Sequence, residues 1–138
     1  MASLIYNSAV DDMARGAIDF DTDTFKIMLV TSSYTANKDS HDKRDDVTNE
    51  VSGTGYTAGG ATVACTVTKD TANDKVTLAF ASTSWATATI TARGAVIYKS
   101  RGGSSNADEL VAYIDFGSDV SSTAATFTVG ASTITLQN

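Results

Sequence analysis

The chain has 138 residues, with 10 basic and 16 acidic side chains and a formal net charge of -6; such a field repels nucleic-acid phosphates and anionic lipid headgroups alike. Neither nucleic acid nor membrane is therefore expected as a direct partner. Hydrophobic residues make up 42% and charged residues 19%, which suits one packed domain over residues 1–138 and not a disordered, highly charged chain.

Thr occurs 21 times, Ala 20 and Ser 15, and Pro is absent. Thr is crowded in helices and at ease on a pleated surface, so the bias is toward strands. Cys65 is the single cysteine and can form no internal disulfide, which suits synthesis in a reducing cytosol. The start, Met-Ala-Ser-Leu-Ile-Tyr-Asn-Ser, has neither the basic opening nor the apolar stretch of a secretory signal. No run approaches the ~20 apolar residues of a membrane span.

In chain order, Asn7 or Ser8 is expected to cap a short helix through Arg15, closed by Gly16, with Val10, Met13, Ala14 and Ala17 on one face. Phe25 to Thr31 is the most apolar run and reads as a central strand. Residues 32–46 are polar and charged, an exposed excursion with one helical turn near Asp42 to Asp46; Val47 to Val51 then resumes a short strand or bridge. Beyond the glycines of 52–60, Val63, Cys65 and Val67 alternate with Thr62, Thr66 and Thr68, the period of a half-buried strand. The cluster 70–74 turns the chain into Val76, Leu78 and Phe80, forming a hairpin. Further strands are expected at 87–92, 95–98, 110–116, 126–129 and 132–136, with an open loop at 100–106. The count is about eight strands in an all-β, jelly-roll-like β-sandwich with a short N-terminal helix.

Four patterns invite chemistry. Gly53-x-Gly55-x-x-Ala58 matches the phosphate-cradling fingerprint, but that fingerprint works only where a helix follows, and the alternating run 61–68 is a strand. The glycines instead serve turns and close chain approach, with Tyr56 packing while its hydroxyl stays wet. Asp19-x-Asp21-x-Asp23 opens like a calcium loop, yet Thr24 and Val30 stand where that loop needs Gly and Glu, so it reads as a solvated acidic turn. His41 and Cys65 are one of each, too few for a zinc set or a nucleophile with its base. Asp45, Asp46 and Glu50 lie in a segment expected to be exposed, where nothing raises a carboxyl for acid catalysis. Trp85 reads as core. No cofactor, metal or catalytic set is expected.

Residues 24–34, the charged excursion, and Asp46-Val-Thr-Asn-Glu-Val-Ser-Gly-Thr-Gly-Tyr-Thr-Ala-Gly-Gly-Ala61 resemble the capsid cement, or decoration, proteins of tailed bacteriophages. The resemblance implies a jelly-roll that pairs into homodimers on the outer surface of the virion head, made in the bacterial cytoplasm and bridging major capsid proteins. The expected contact elements are the N-terminal segment Leu4 to Val10, with Leu4, Ile5, Tyr6 and Val10, and the stretch 34–50, with Tyr34, Lys38, Lys43 and Arg44, whose side chains have no evident role within the chain. Two rivals stand beside it. A tail or fibre-associated module contacting host carbohydrate predicts exposed aromatic residues, and a small hydrolase predicts two carboxylates facing across a cleft.

Overall fold

A computed structural model describes residues 2–138; Met1, the first residue of the expected domain, lies outside them. Among the described residues, the elements are β1 (Leu4–Ile5), α1 (Asn7–Ala14), β2 (Phe25–Val30), β3 (Ala61–Val63), β4 (Cys65–Asp70), β5 (Lys75–Phe80), β6 (Thr83–Lys99), β7 (Leu110–Val129) and β8 (Ser132–Gln137). Short 3-10 turns occupy Arg44–Asp46 and Ser105–Ala107. The strands form two antiparallel sheets, a five-stranded one ordered β1-β7-β6-β2-β3 and a three-stranded one ordered β4-β5-β8. The architecture is all-β and sandwich-like.

Between the sheets, Phe25, Ile27, Leu29, Ala95, Ile97 and Val111 meet Leu78 and Phe80. Phe20 stacks on Phe25 at 5.3 Å, and Phe80 meets both rings edge-on. Each such ring contributes roughly 2 kcal/mol on burial, and each aromatic pair about 1 kcal/mol more. This trio is the anchor of the inter-sheet core.

The five-stranded sheet is buried on its other face as well. Met28, Val30, Val96, Tyr98, Leu110 and Tyr113 form a second core with Tyr6, Tyr34 and Ala36. Phe25–Val30 is apolar at five of its six positions for this reason: Phe25, Ile27 and Leu29 enter the core between the sheets, Met28 and Val30 enter the second core, and Lys26 is half-buried. The excursion after residue 31, expected to be exposed, is the cover of that second face. Tyr34 and Ala36 are 4% and 8% exposed.

Several boundaries differ from expectation. The run 61–68 breaks at Ala64, because Val63 pairs with Phe25 in one sheet and Cys65 with Phe80 in the other. The segments 87–92 and 95–98 are one strand, as are 110–116 and 126–129; β6 and β7 form a long ribbon bent by register shifts near Trp85/Ala88, Ala88/Ile90 and Ala92/Gly94. Gly94 does not break β6: a Cβ there would sit 2.6 Å from the Tyr113 ring, so glycine is what lets the ring lie flat on the strand. In α1, Tyr6 is the N-cap and makes no side-chain cap bond. Ala9 is the buried position while Val10 is 53% exposed, so the expected apolar face is rotated toward Ala9 and Met13. The bridge within 47–51 is present as Val30 opposite Glu50.

Candidate functional site

The expected contact elements, the N-terminal segment and the excursion, lie against one another. The Asn7 N–H donates to the Lys38 carbonyl at 2.9 Å, and the Asn7 side-chain amide donates to the Asp39 carboxylate at 2.7 Å. Beneath them the hydroxyls of Tyr6 and Tyr34 are 2.9 Å apart, and the Tyr34 hydroxyl is 2.9 Å from His41 Nδ1. His41 Nδ1 also accepts the Asn37 N–H at 3.3 Å. With Nδ1 accepting, Tyr34 donates to His41 and Tyr6 donates to Tyr34, so the two buried hydroxyls are satisfied in series. Burial pushes the ionisation of Tyr6 and Tyr34 upward.

A second polar chain holds the far end of the excursion. Arg44 donates to Asp108 at 2.8 Å and lies over the Tyr98 ring at 5.1 Å. Asp108 also accepts the Arg101 N–H at 2.8 Å. Next to it, Glu109 accepts Arg101 Nε at 3.0 Å, with Lys43 Nζ at 3.7 Å. Asp108 and Glu109 are 1% and 3% exposed, so these cations offset a desolvation cost of several kcal/mol per ion. Burial alone would raise the Glu109 carboxyl, but Arg101 and Lys43 outweigh it and hold it below the ordinary range.

The glycine segment is held by a third chain. Tyr56 donates to Glu50 at 2.7 Å and accepts the Leu29 N–H at 2.9 Å. Glu50 accepts the Gly59 N–H at 2.6 Å, and Tyr98 donates to the Gly59 carbonyl at 2.6 Å. The Tyr56 hydroxyl, expected to be wet, is therefore inside this network, and Glu50 is half-buried. Pairing between β2 and β3 stops at Ile27 opposite Ala61, which frees the Leu29 N–H that Tyr56 takes. Gly60 has φ +76° and its Cα lies against the Ile27 carbonyl, so any side chain would strike backbone. The strand Ala61–Val63 follows the glycines where a nucleotide loop needs a helix.

Of the residues expected to touch a partner, Tyr6 and Tyr34 are core side chains, 0% and 4% exposed. Lys43 and Arg44 are engaged with Glu109 and Asp108. The premise that these four lack a role within the chain is corrected, because the excursion needs them to seal the sheet. Leu4 is half-buried opposite Tyr113. Ile5, Val10 and Lys38 face outward, Ile5 and Val10 beside one apolar hollow and Lys38 on the excursion that α1 docks against.

The remaining candidates are also placed. Asp23 accepts the Asp19 N–H at 2.7 Å and pairs with Lys99 at 2.9 Å, so the acidic turn is braced from within. Among the described residues no group of three or more His, Cys, Asp or Glu is placed to hold a metal ion. Among the described residues no helix is long and apolar enough to cross a membrane. Trp85, 6% exposed, packs against Tyr56 and Phe127. Reasoning from sequence missed Asp108 and Glu109, although two adjacent acids opening an apolar strand were a signal of paired burial. Against family models, curated proteins and solved structures, the chain finds no match in any of the three comparisons.

Proposed function

We propose that the chain is a structural protein of a tailed-phage virion, a cement protein that binds the outer surface of the head and holds neighbouring major capsid proteins together. On this reading the two sheets are a jelly roll, and the working unit is a homodimer. The observation that carries it is the way the polar excursion is built. Its ionisable side chains brace a rigid cover on an all-β body through Arg44–Asp108 and Tyr34–His41, and Tyr56–Glu50 holds the glycine segment that follows. The likeness of residues 24–61 to cement proteins falls on that braced segment.

A rigid body suits such work because binding then costs little ordering entropy. Val10 and Lys38 would meet the shell, with α1 and the excursion acting as one piece. Each copy that binds the assembled shell and not its free subunits shifts the equilibrium toward the intact particle by mass action.

The test is to add purified protein to capsids stripped of it and follow the temperature at which they break open. Saturating protein is expected to raise that temperature, and virions should carry it in copy numbers comparable to the capsid subunit. An unchanged disruption temperature, or absence from the virion, overturns the proposal.

A further inference from the structure

Strand β8 is an edge of the three-stranded sheet. The phase of its ladder follows from two bonds at the sheet ends. Ala81 N–H donates to the Ala64 carbonyl and Asn138 N–H to the Asp74 carbonyl. In an antiparallel ladder each residue turns both backbone groups to the same side, and the side alternates along the strand. Val76, Leu78 and Phe80 thus face Leu136, Ile134 and Ser132 across the ladder. The backbone N–H and C=O groups of Thr133, Thr135 and Gln137 consequently point outward from the sheet.

Exposed edges are commonly blunted by charge, proline or a bulge. Ser132-Thr-Ile-Thr-Leu-Gln137 contains no charge and no proline, and its register with β5 runs without a shift. Beside it opens a slot of about 430 Å³ between the two sheets, whose lining includes Leu4, Ile5, Phe80, Ile97, Ile114 and Ile134. Ile5, 41% exposed, stands at this opening, and Leu136, 37% exposed, shares an adjoining apolar hollow with Ile5 and Ile134. An added strand would satisfy the outward backbone groups, and its inner-face side chains would enter the slot.

We infer that the added strand is β8 of a second copy, paired antiparallel about Thr135. The strand is self-complementary in that register. Thr135 faces the second copy's Thr135, Ile134 faces its Leu136, and Thr133 faces its Gln137. The three outward residues of each copy then form hydrogen-bonded pairs, and the two slots join into one apolar seam across the two-fold axis. No charge meets a like charge along the strand, so the edge is compatible with self-pairing although each copy carries -6.

This extends the reading of the chain as a self-pairing shell protein but is measured without a capsid, so failure of one and failure of the other are separate results. Sedimentation equilibrium of the isolated chain over a concentration series is expected to reach twice 14.3 kDa. Thr135→Pro removes an N–H that bonds nothing within the chain, a position where an edge strand tolerates proline. It is expected to raise the dimer dissociation constant by ~100-fold or more, since two inter-chain hydrogen bonds are lost at the axis. Thr135→Lys, which sets two ammonium groups face to face on the outer surface, should do the same with the circular dichroism spectrum unchanged. A wild-type chain that stays at 14.3 kDa, leaving the edge to an unlike strand, overturns the inference. So does a dimer that survives a folded Thr135 variant.

Discussion

Arg44 donates to the Asp108 carboxylate at 2.8 Å, joining positions 64 residues apart and fastening the excursion to the start of β7. Asp108 is 1% exposed, and an uncompensated charge there is far costlier than the pair itself is favourable. Arg44→Met is expected to cost about 3 kcal/mol, read as a fall in the urea midpoint at constant slope. The Arg15–Asp11 pair, with side chains 74% and 58% exposed, is the comparison, and Arg15→Met should leave the midpoint in place. Equal effects from the two would refute the argument from burial.

The same corner sets an acid limit. The Glu109 carboxyl is held below its ordinary value of 4.5. A carboxyl depressed by folding contributes stability that is complete above the unfolded value and lost as pH falls through the folded one. Stability should therefore decline as pH drops below about 4.5, and Glu109→Gln should flatten that decline. Acid unfolding profiles that superimpose for the two proteins would remove Glu109 from the account.

At the alkaline end all five tyrosines are shifted the same way. Burial raises Tyr6, Tyr34, Tyr56, Tyr98 and Tyr113 above the ordinary value of 10.0, Tyr98 to about 12. For groups kept neutral by folding, the stabilisation is complete below the unfolded value and disappears as pH climbs through the folded values. Ultraviolet absorbance should show little tyrosinate at pH 10.0, then a steep rise coincident with loss of near-ultraviolet circular dichroism. Ordinary, gradual titration around 10.0 with the fold retained would contradict the buried placement.

In the series Tyr6, Tyr34, His41, the middle hydroxyl serves both neighbours. Tyr34→Phe leaves the buried Tyr6 hydroxyl without its acceptor and should cost about 2 kcal/mol. Tyr6→Phe removes a donor whose loss Tyr34 tolerates, because Tyr34 still donates to His41, and should cost less. Chemical denaturation of both single variants and the double tests the order, and the double should not be the sum.

Gly60 and Gly102 have nearly the same backbone, φ +76° and +77°, but different surroundings. Gly102→Ala meets nothing within 4 Å, so only the left-handed conformation is charged against it, about 1 kcal/mol. Gly60→Ala drives a methyl into the Ile27 carbonyl, so β3 must part from β2, and a cost of at least about 3 kcal/mol follows. Comparable melting temperatures for the two variants would mean that the approach at Gly60 relaxes freely.

The strand content, the hairpin 65–70 with 75–80 and the helix near residue 7 were legible because alternation and turn residues are local signals. The run Phe25–Val30, apolar at five of its six positions, was legible as a central strand. What covers the second face was not legible. Tyr34 and Ala36 are isolated among charges, and only the closed chain places them over Met28 and Tyr113. Arg44 and Asp108 similarly look like surface residues until the fold brings them together.

Composition and local pattern thus determined an acidic, disulfide-free, antiparallel β protein whose glycine segment leads into a strand. Tertiary structure decided which polar residues are spent inside, because burial and pairing depend on neighbours far along the chain. It also decided that β8, unremarkable as Ser-Thr-Ile-Thr-Leu-Gln, lies at an edge beside an open apolar slot. Strand order is a property of the assembled sheet, and no single segment carries it.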